Sequence, residues 1–278
     1  MDISSSQSGP GSSAYRAIVL AKNPVGYWRL GEVTGPTAVD ETGNGHDGTY
    51  FGGVTYQEPG ALANDPNTAV GFDGLDAYVE VPDSVQFSQM TSGAGLTVEV
   101  WMRPDLLVFA GENSEHYIHW LGKAQPAGNE WGFRFYSHRS ARPNRISAYI
   151  WNPEGLQGAG AYFEDKIHHE WIHVVACYDP GDMNDPTAGV SIYKNGVLRG
   201  SPDSTQGAAY QKGALYSAYD IVPVHSNAPL RFGTRDLGSF LKGRLDEIAI
   251  YPRVLTADEI LENYQVGRGE MNAAQIGE

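Results

Sequence analysis

Roughly a dozen short runs of alternating apolar and polar residues recur along this 278-residue chain, each bounded by glycine, proline or asparagine. A period of two sends successive side chains to opposite faces of a strand, so each run can bury one face. The clearest is 95–105. There Leu96, Val98, Val100 and Met102 fall on one face, and Thr97, Glu99 and Trp101 on the other. Similar runs lie at 25–32, 116–123, 130–138, 145–152, 171–179, 229–234 and 242–253. The run 188–200 carries Asn195-Gly196 at its centre, which predicts a two-residue hairpin. The runs 69–74 and 77–83 predict a second hairpin, turned by Gly74-Leu75-Asp76. The 34 glycines and 16 prolines supply the turns such a series needs.

Only two segments read as helices. Residues 14–22 carry an amphipathic run after Ser13, ended by Asn23-Pro24. Thr256 to Glu259 forms a capping box, with Leu255 and Ile260 as its hydrophobic staple; that helix is expected to reach about Tyr264 and stop near Gly267. Strands at this spacing with so little helix between them predict an all-β sandwich or barrel. Residues 14–267 read as one domain between an N-terminal tail, 1–13, and a C-terminal tail, 268–278.

Nineteen basic against 33 acidic residues give a net charge of −14. Phosphate backbones and anionic lipid are repelled by that balance, so no nucleic-acid or membrane partner is expected. Cys177 is the only cysteine, which excludes an intramolecular disulfide and a zinc finger; its place in an apolar strand makes it a core residue. The first 13 residues lack the basic and apolar regions of a secretory signal. Either such a signal was removed beforehand or the chain uses another route.

Several constellations invite a chemical reading. His169-Glu170-Trp171-Ile172-His173 has the zincin spacing, but that chemistry needs a helix and 171–179 reads as a strand. His173 is therefore expected to hold a structural hydrogen bond. No strand sets paired acids on one face as a glycosidase requires; Glu99 and Glu80 stand alone. Tyr149, His138, Arg139 and Arg145 can be arranged into a lyase site only as any tyrosine-rich β-protein permits. The expected role is non-catalytic, with a polysaccharide lyase or hydrolase as the rival reading. Trp120, Trp131, Tyr149 and Trp151 are the candidate platforms for a sugar, because pyranose C–H faces pack on aromatic rings; the rival reading is core packing. Tyr162 falls near them, and Arg134, His138, Arg139, Arg142 and Arg145 add positive charge. That cluster suits an acidic glycan or an acidic protein partner, or else a solvated strand end. Asp40, Asn44, His46 and Asp47 share a glycine-punctuated loop, which suits either a calcium ion held by oxygens or an Asx-turn without an ion.

Seven blocks in order resemble the laminin-G-like, concanavalin-A-like jelly-roll superfamily in its bacterial and phage form. They are 24–32, 40–48, Phe72-Asp73-Gly74 with 78–82, 96–101, 170–176 with Tyr178-Asp179, 193–196, and 242–251 followed by 255–264. The resemblance implies an antiparallel two-sheet jelly-roll sandwich with one or two short peripheral helices. It places Trp28, Trp101 and Trp171 in the packing. It further implies a structural calcium ion held by Asp40 and Asp246, with main-chain carbonyls near Asn44 and His46. The superfamily hosts lectins, adhesion modules, enzyme appendages and virion proteins, so the fold alone does not choose among them. The expectation is a surface-binding module, at a virion surface or outside the cell. It would act as a phage capsid decoration or fibre protein, or as the carbohydrate-binding module of a secreted bacterial protein. Its partners would be a glycan, a capsid protein or a second copy of itself. The stretches 105–130 and 201–229 exceed the family minimum, and the second holds Tyr210, Tyr216, Tyr219 and His225.

Overall fold

The computed structural model describes residues 13–110, 112, 114–125, 128–152, 158–180, 189–200, 209–210, 221 and 223–271. The chain opens with helix α1 (Ala14–Ala21), followed by β1 (Gly26–Trp28), β2 (Thr37–Ala38), β3 (Gly48–Phe51), β4 (Thr55–Pro59), β5 (Thr68–Asp73) and β6 (Tyr78–Val81). A 3₁₀ segment, Val85–Ser92, leads to β7 (Leu96–Pro104), β8 (Tyr117–Lys123), β9 (Trp131–Tyr136), β10 (Arg145–Trp151) and β11 (Gly158–Glu164). Then come β12 (Ile172–Asp179), β13 (Gly189–Lys194), β14 (Val197–Gly200), β15 (Ala209–Tyr210), β16 (Leu230–Phe232), β17 (Lys242–Tyr251) and helix α2 (Ala257–Gly267). Among the described residues the strands form two antiparallel sheets. The first runs β14-β13-β12-β7-β17-β5-β4, with β1 also paired to β17. The second runs β15-β11-β10-β9-β8-β16-β6-β3-β2.

Alternation builds the core between them. Leu96, Val98, Val100 and Met102 of β7 face inward with Val174, Ala176 and Ile250, as the period-two pattern predicts. The second sheet answers with Ile118, Trp120, Trp131, Phe133, Phe135, Ile146, Ala148 and Ile150. The first sheet is also buried on its outer face. There Trp101, Val175, Cys177 and Tyr251 pack under Tyr15, Ile18 and Val19 of α1 and Ile260 and Val266 of α2. Both helices begin as predicted. The Ser13 hydroxyl accepts from the Arg16 amide, and Thr256 and Glu259 close the capping box. The β13–β14 hairpin also forms as expected, with Asn195 and Gly196 both at positive φ and Lys194 opposite Val197.

The second predicted hairpin does not form. β5 pairs with β4 and β17 in the first sheet, whereas β6 pairs with β3 and β16 in the second. Gly74-Leu75-Asp76 is thus a corner that carries the chain from one sheet to the other. The Asp73 carboxylate fixes it by accepting from the amides of Leu75, Asp76 and Ala77. A short turn between two alternating runs looks the same in sequence whether the strands pair or part.

One buried charge ties the outer layer together. Glu99 of β7, without solvent exposure, accepts from Tyr15 Oη (2.8 Å), His173 Nε2 (2.7 Å), Tyr251 Oη (2.6 Å) and Asn263 Nδ2 (2.9 Å). Burial alone would raise its pKa. The hydrogen bond and charge of His173, with the two tyrosines, hold it below the usual carboxylate range instead. Removing the carboxylate strands four buried donors. Glu99→Ala should lower the unfolding free energy by about 3–5 kcal/mol in equilibrium urea unfolding; a loss below about 1 kcal/mol would show that the helices dock without it.

Candidate functional site

The four aromatic residues expected as sugar platforms divide between the two faces of the second sheet. Trp120 and Trp131 point into the core, 0 % and 3 % exposed, and correct the expectation for those two. Trp131 lies on the same face of β9 as Phe133 and Phe135, and its indole donates to the Phe87 carbonyl at 2.9 Å. Trp120 is the extra residue where the β8–β9 register shifts between His119 and Leu121, and it packs on Phe133. Tyr149 and Trp151 lie on the opposite face. Their rings stack at 5.3 Å and 17°.

A flat layer forms around that pair. Arg134 of β9 lays its guanidinium over Tyr117 (4.4 Å), Tyr149 (4.6 Å) and Trp151 (5.5 Å). Arg235, from the loop after β16, lies over Trp151 at 4.5 Å. Tyr136 joins through a 2.8 Å hydroxyl contact with Tyr149. Glycines make the layer possible. A Cβ at Gly132 would stand 2.8 Å from Arg235 Cδ, and one at Gly158 would stand 2.7 Å from the Trp151 ring. The long side chains therefore lie down on bare backbone. Tyr149, Trp151 and Arg235 are nearly buried, and the guanidinium groups cap the ring faces.

His119 sits at the margin of this layer. Its Nδ1 lies 2.6 Å from Asp236 Oδ2, and its Nε2 accepts from Arg134 Nε at 2.9 Å. A ring that accepts at Nε2 must carry its proton on Nδ1 and be neutral. Burial, with the charges of Arg235 and Arg134, pulls the His119 pKa down to about 3. The same neighbourhood has the opposite effect on Asp236: although burial opposes it, the His119 hydrogen bond holds that carboxyl far below its usual range. Of the other basic residues expected here, Arg145 pairs with Glu164 at 2.6 Å and covers Tyr162 at 3.6 Å. Arg142 reaches Tyr136 at 5.9 Å, while Arg139 and His138 are exposed. A cleft of about 270 Å³ opens beside Tyr136, lined by Glu115, His116, Ser140 and Arg142.

Sequence reasoning missed several contributors. Arg235 and Asp236 lie a hundred residues from β9, and no local signal ties them to it. Phe51 and Tyr78 form an accessible stacked pair at 4.8 Å on the same sheet, with Phe240 6.4 Å from Tyr78. Their pairing follows from the β3–β6 register. Of the loop aromatics, Tyr216 and Tyr219 lie outside the described residues, and Tyr210 belongs to the short strand β15.

The expected calcium ligands are not brought together. Asp40 Oδ1 accepts from the amides of Tyr27 and Thr42, and Oδ2 accepts from Thr42 Oγ1 and the His46 amide. The His46 carbonyl takes the Trp28 indole at 2.8 Å, and Asn44 Nδ2 donates to the Val25 carbonyl. The loop is an Asx-type turn whose carboxylate oxygens are filled by donors. Strand β1 separates it from the other expected ligand, because Trp28 bridges Asp40 on one side and pairs with Ile248 on the other. Asp246 instead accepts from the Ala61 amide at 2.8 Å beside Glu247, which Arg29 grips at 2.7 Å. Burial and Glu247 push the Asp246 carboxyl up, towards its neutral form. These residues do not fit calcium, and among the described residues no group of three His, Cys, Asp or Glu side chains gathers for a metal.

Two arrangements resemble catalytic ones. His169 and His173 point apart, to Asp105 and to Glu99, so the zincin spacing makes no metal pair. Ser88, His225 and Asp83 fall in triad order, with His225 Nδ1 3.1 Å from Ser88 Oγ and Nε2 3.6 Å from Asp83. Ser88 has no exposed surface, however, and donates its proton to Glu130 at 2.5 Å. Glu130 in turn holds Lys123 and Ser226, so the group anchors the loop before β16.

A family model described as the concanavalin A-like lectin/glucanases superfamily, of laminin-G type, matches residues 72–261. No curated protein matches the chain by sequence. The receptor-binding domain of the botulinum neurotoxin C/D mosaic serotype superposes with a TM-score of 0.60 at 12 % identity, covering 87 % of this chain and 51 % of that one. The binding domain of botulinum neurotoxin DC in complex with SialylT gives 0.60 at 11 % identity, with 87 % and 51 % covered. Domain 4 of AbnA, a GH43 extracellular arabinanase from Geobacillus stearothermophilus, in complex with arabinotriose, gives 0.55 at 17 % identity, with 87 % and 98 % covered. The chain spans about half the length of the toxin domains. At these identities the likeness is one of fold.

Two measurements check the site. The ¹⁵N shifts of His119 should stay those of a neutral Nδ1–H ring from pH 8 down to pH 5; titration near pH 6.5 would break the Arg134–His119–Asp236 relay. Because the neutral ring is held in the fold, His119 contributes stability above pH 6.5 that is lost as pH falls from 6.5 towards 3. EGTA should leave the melting temperature unchanged, and a fall of several degrees would restore the calcium reading.

Proposed function

The chain belongs to the concanavalin A-like lectin/glucanases superfamily, and from that premise we propose that it is a non-catalytic surface-binding module whose ligand is a glycan. The single observation that supports this is the layer on the outer face of the second sheet. Stacked Tyr149 and Trp151 lie flat over glycine backbone, with polar groups of Arg134, Arg235, His119 and Asp236 beside them. With the ring faces capped by Arg134 and Arg235, the aromatic pair is the base that orients the layer, and the fixed donors and acceptors are what a sugar's hydroxyls meet.

A binding role also accords with the carboxylates. Glu99, Asp246 and Glu247 are fully buried, and Glu80 is engaged by Arg231. A hydrolase needs two acids facing a bond across an open cleft. The module comprises residues 14–267, and it works at a virion surface or outside the cell. The virion setting rests on tails 1–13 and 268–278 as docking segments; residues 1–12 and 272–278 lie outside the described residues. The related folds with binding in their descriptions, a toxin domain with SialylT and an arabinanase domain with arabinotriose, accord with a glycan ligand.

The test is an array of neutral and acidic oligosaccharides, followed by calorimetry on the strongest binder. Trp151→Ala should weaken binding by tenfold or more, about 1.4 kcal/mol. Trp120→Phe should lower stability by about 1–3 kcal/mol and leave affinity unchanged. Equal affinity in Trp151→Ala would move the site elsewhere, and an array without binders would overturn the glycan reading.

A further inference from the structure

The strand arginines of this protein, together with Arg235, divide into two kinds. On the other strands each is matched by a carboxylate: Arg103 by Asp105, Arg145 by Glu164, Arg199 by Asp165, Arg231 by Glu80 and Arg244 by Glu58. Arg29, half-buried after β1, has both Glu247 and Asp65. That is the ordinary rule for guanidinium groups drawn into a fold, since a buried charge without a counter-charge is costly. Arg134 and Arg235 depart from it. Neither is within ion-pair distance of a carboxylate among the described residues. Asp236, the acid that acts on Arg235, is instead engaged with His119. Arg235 is only 8 % exposed, and its Nε has no hydrogen-bond partner among the described residues.

Both exceptions press on the same ring, Trp151. The layer thus holds two positive charges against the single negative charge of Asp236, with His119 neutral, in a chain whose net charge is −14. Burial pulls the Arg235 pKa down to about 10, a shift that an anion at the site would reverse. Arginine's planar fork suits an anionic oxygen pair, and the indole beneath holds the plane in orientation. The overall negative charge does not forbid such a ligand. It is screened over about 8 Å at physiological salt, whereas the guanidinium groups act at contact.

We propose that the outer face of the second sheet selects a saccharide bearing an anionic group, whose charge is met by Arg235 and Arg134 above Trp151. This rests on the glycan reading and narrows it. The ring faces are capped by guanidinium groups, so what a ligand meets is a cationic surface on an aromatic base.

The test uses the full chain and three matched pairs: hexagalacturonate and its methyl ester, sialyllactose and lactose, and a heparin hexasaccharide and its desulfated form. At least one acidic member should bind tenfold or more tightly than its neutral partner, and the pair that responds separates carboxylate from sulfate. Arg235→Gln should erase that preference, while Arg235→Lys should keep part of it. Melting temperatures show whether either variant remains folded; if both unfold, the wild-type pairs alone decide. Equal binding within every pair, with some saccharide still bound on the array, overturns the anionic ligand and leaves the glycan reading standing. A preference that survives in folded Arg235→Gln overturns the assignment to Arg235. No saccharide bound in any arm overturns both.

Discussion

The carboxylate of Glu99 is the point on which the outer half of the molecule turns. Four donors from α1, β12, β17 and α2 converge on it, contributed by Tyr15, His173, Tyr251 and Asn263. A hydrophobic contact holds a helix against a sheet without fixing where along the sheet it lies. A buried carboxylate with directional donors fixes the position, because any slip leaves several polar groups unpaired in a dry interior. The first sheet can then be packed on its outer face by the two helices, while the outer face of the second sheet carries the layer built on Tyr149 and Trp151.

The second sheet is built differently. Its inner face is crowded with Trp120, Trp131, Phe133 and Phe135, while its outer face alternates bare glycine with long flat side chains. That contrast has a simple origin. Glycine at 132 and 158 removes the Cβ that would hold Arg235 and Trp151 off the sheet, and Gly160 does so for Tyr149, so they lie flat. Cation–π contacts of this kind contribute about 0.5–2 kcal/mol each, more as they are desolvated. The layer is therefore rigid before any ligand arrives, and a rigid site loses less entropy on binding.

Charge is used in opposite ways in the two sheets. Around Asp246 and Glu247 the protein concentrates acid and offsets it with Arg29, with the β17 bulge and the positive φ of Glu247 turning the acids toward that side chain. Around Trp151 it concentrates base and leaves most of it without acid. The first arrangement closes on itself; the second presents an imbalance that a partner can fill.

Period-two alternation, the Asn195-Gly196 turn, the amphipathic run after Ser13 and the capping box at Thr256 were enough to determine an all-β sandwich or barrel, one hairpin and both helices, because each acts through neighbours in sequence; the two-sheet sandwich was implied by the family resemblance. Alternation also held the answer for Trp131, which shares its parity with Phe133 and Phe135. Parity on β10 likewise separates Ile146, Ala148 and Ile150 from Ser147, Tyr149 and Trp151. Other features were decided only in three dimensions. Whether the runs around Gly74 pair or part depends on their other partners: β5 lies between β17 and β4, and β6 between β16 and β3. The Asp40 carboxylate is filled by its own loop's amides, which no spacing reveals. Arg235 and Asp236 reach the aromatic layer because β16 lies beside β8, a pairing between segments about a hundred residues apart. Local rules specify which strands form; the order in which strands lie side by side specifies which side chains meet, and the site is made of those meetings.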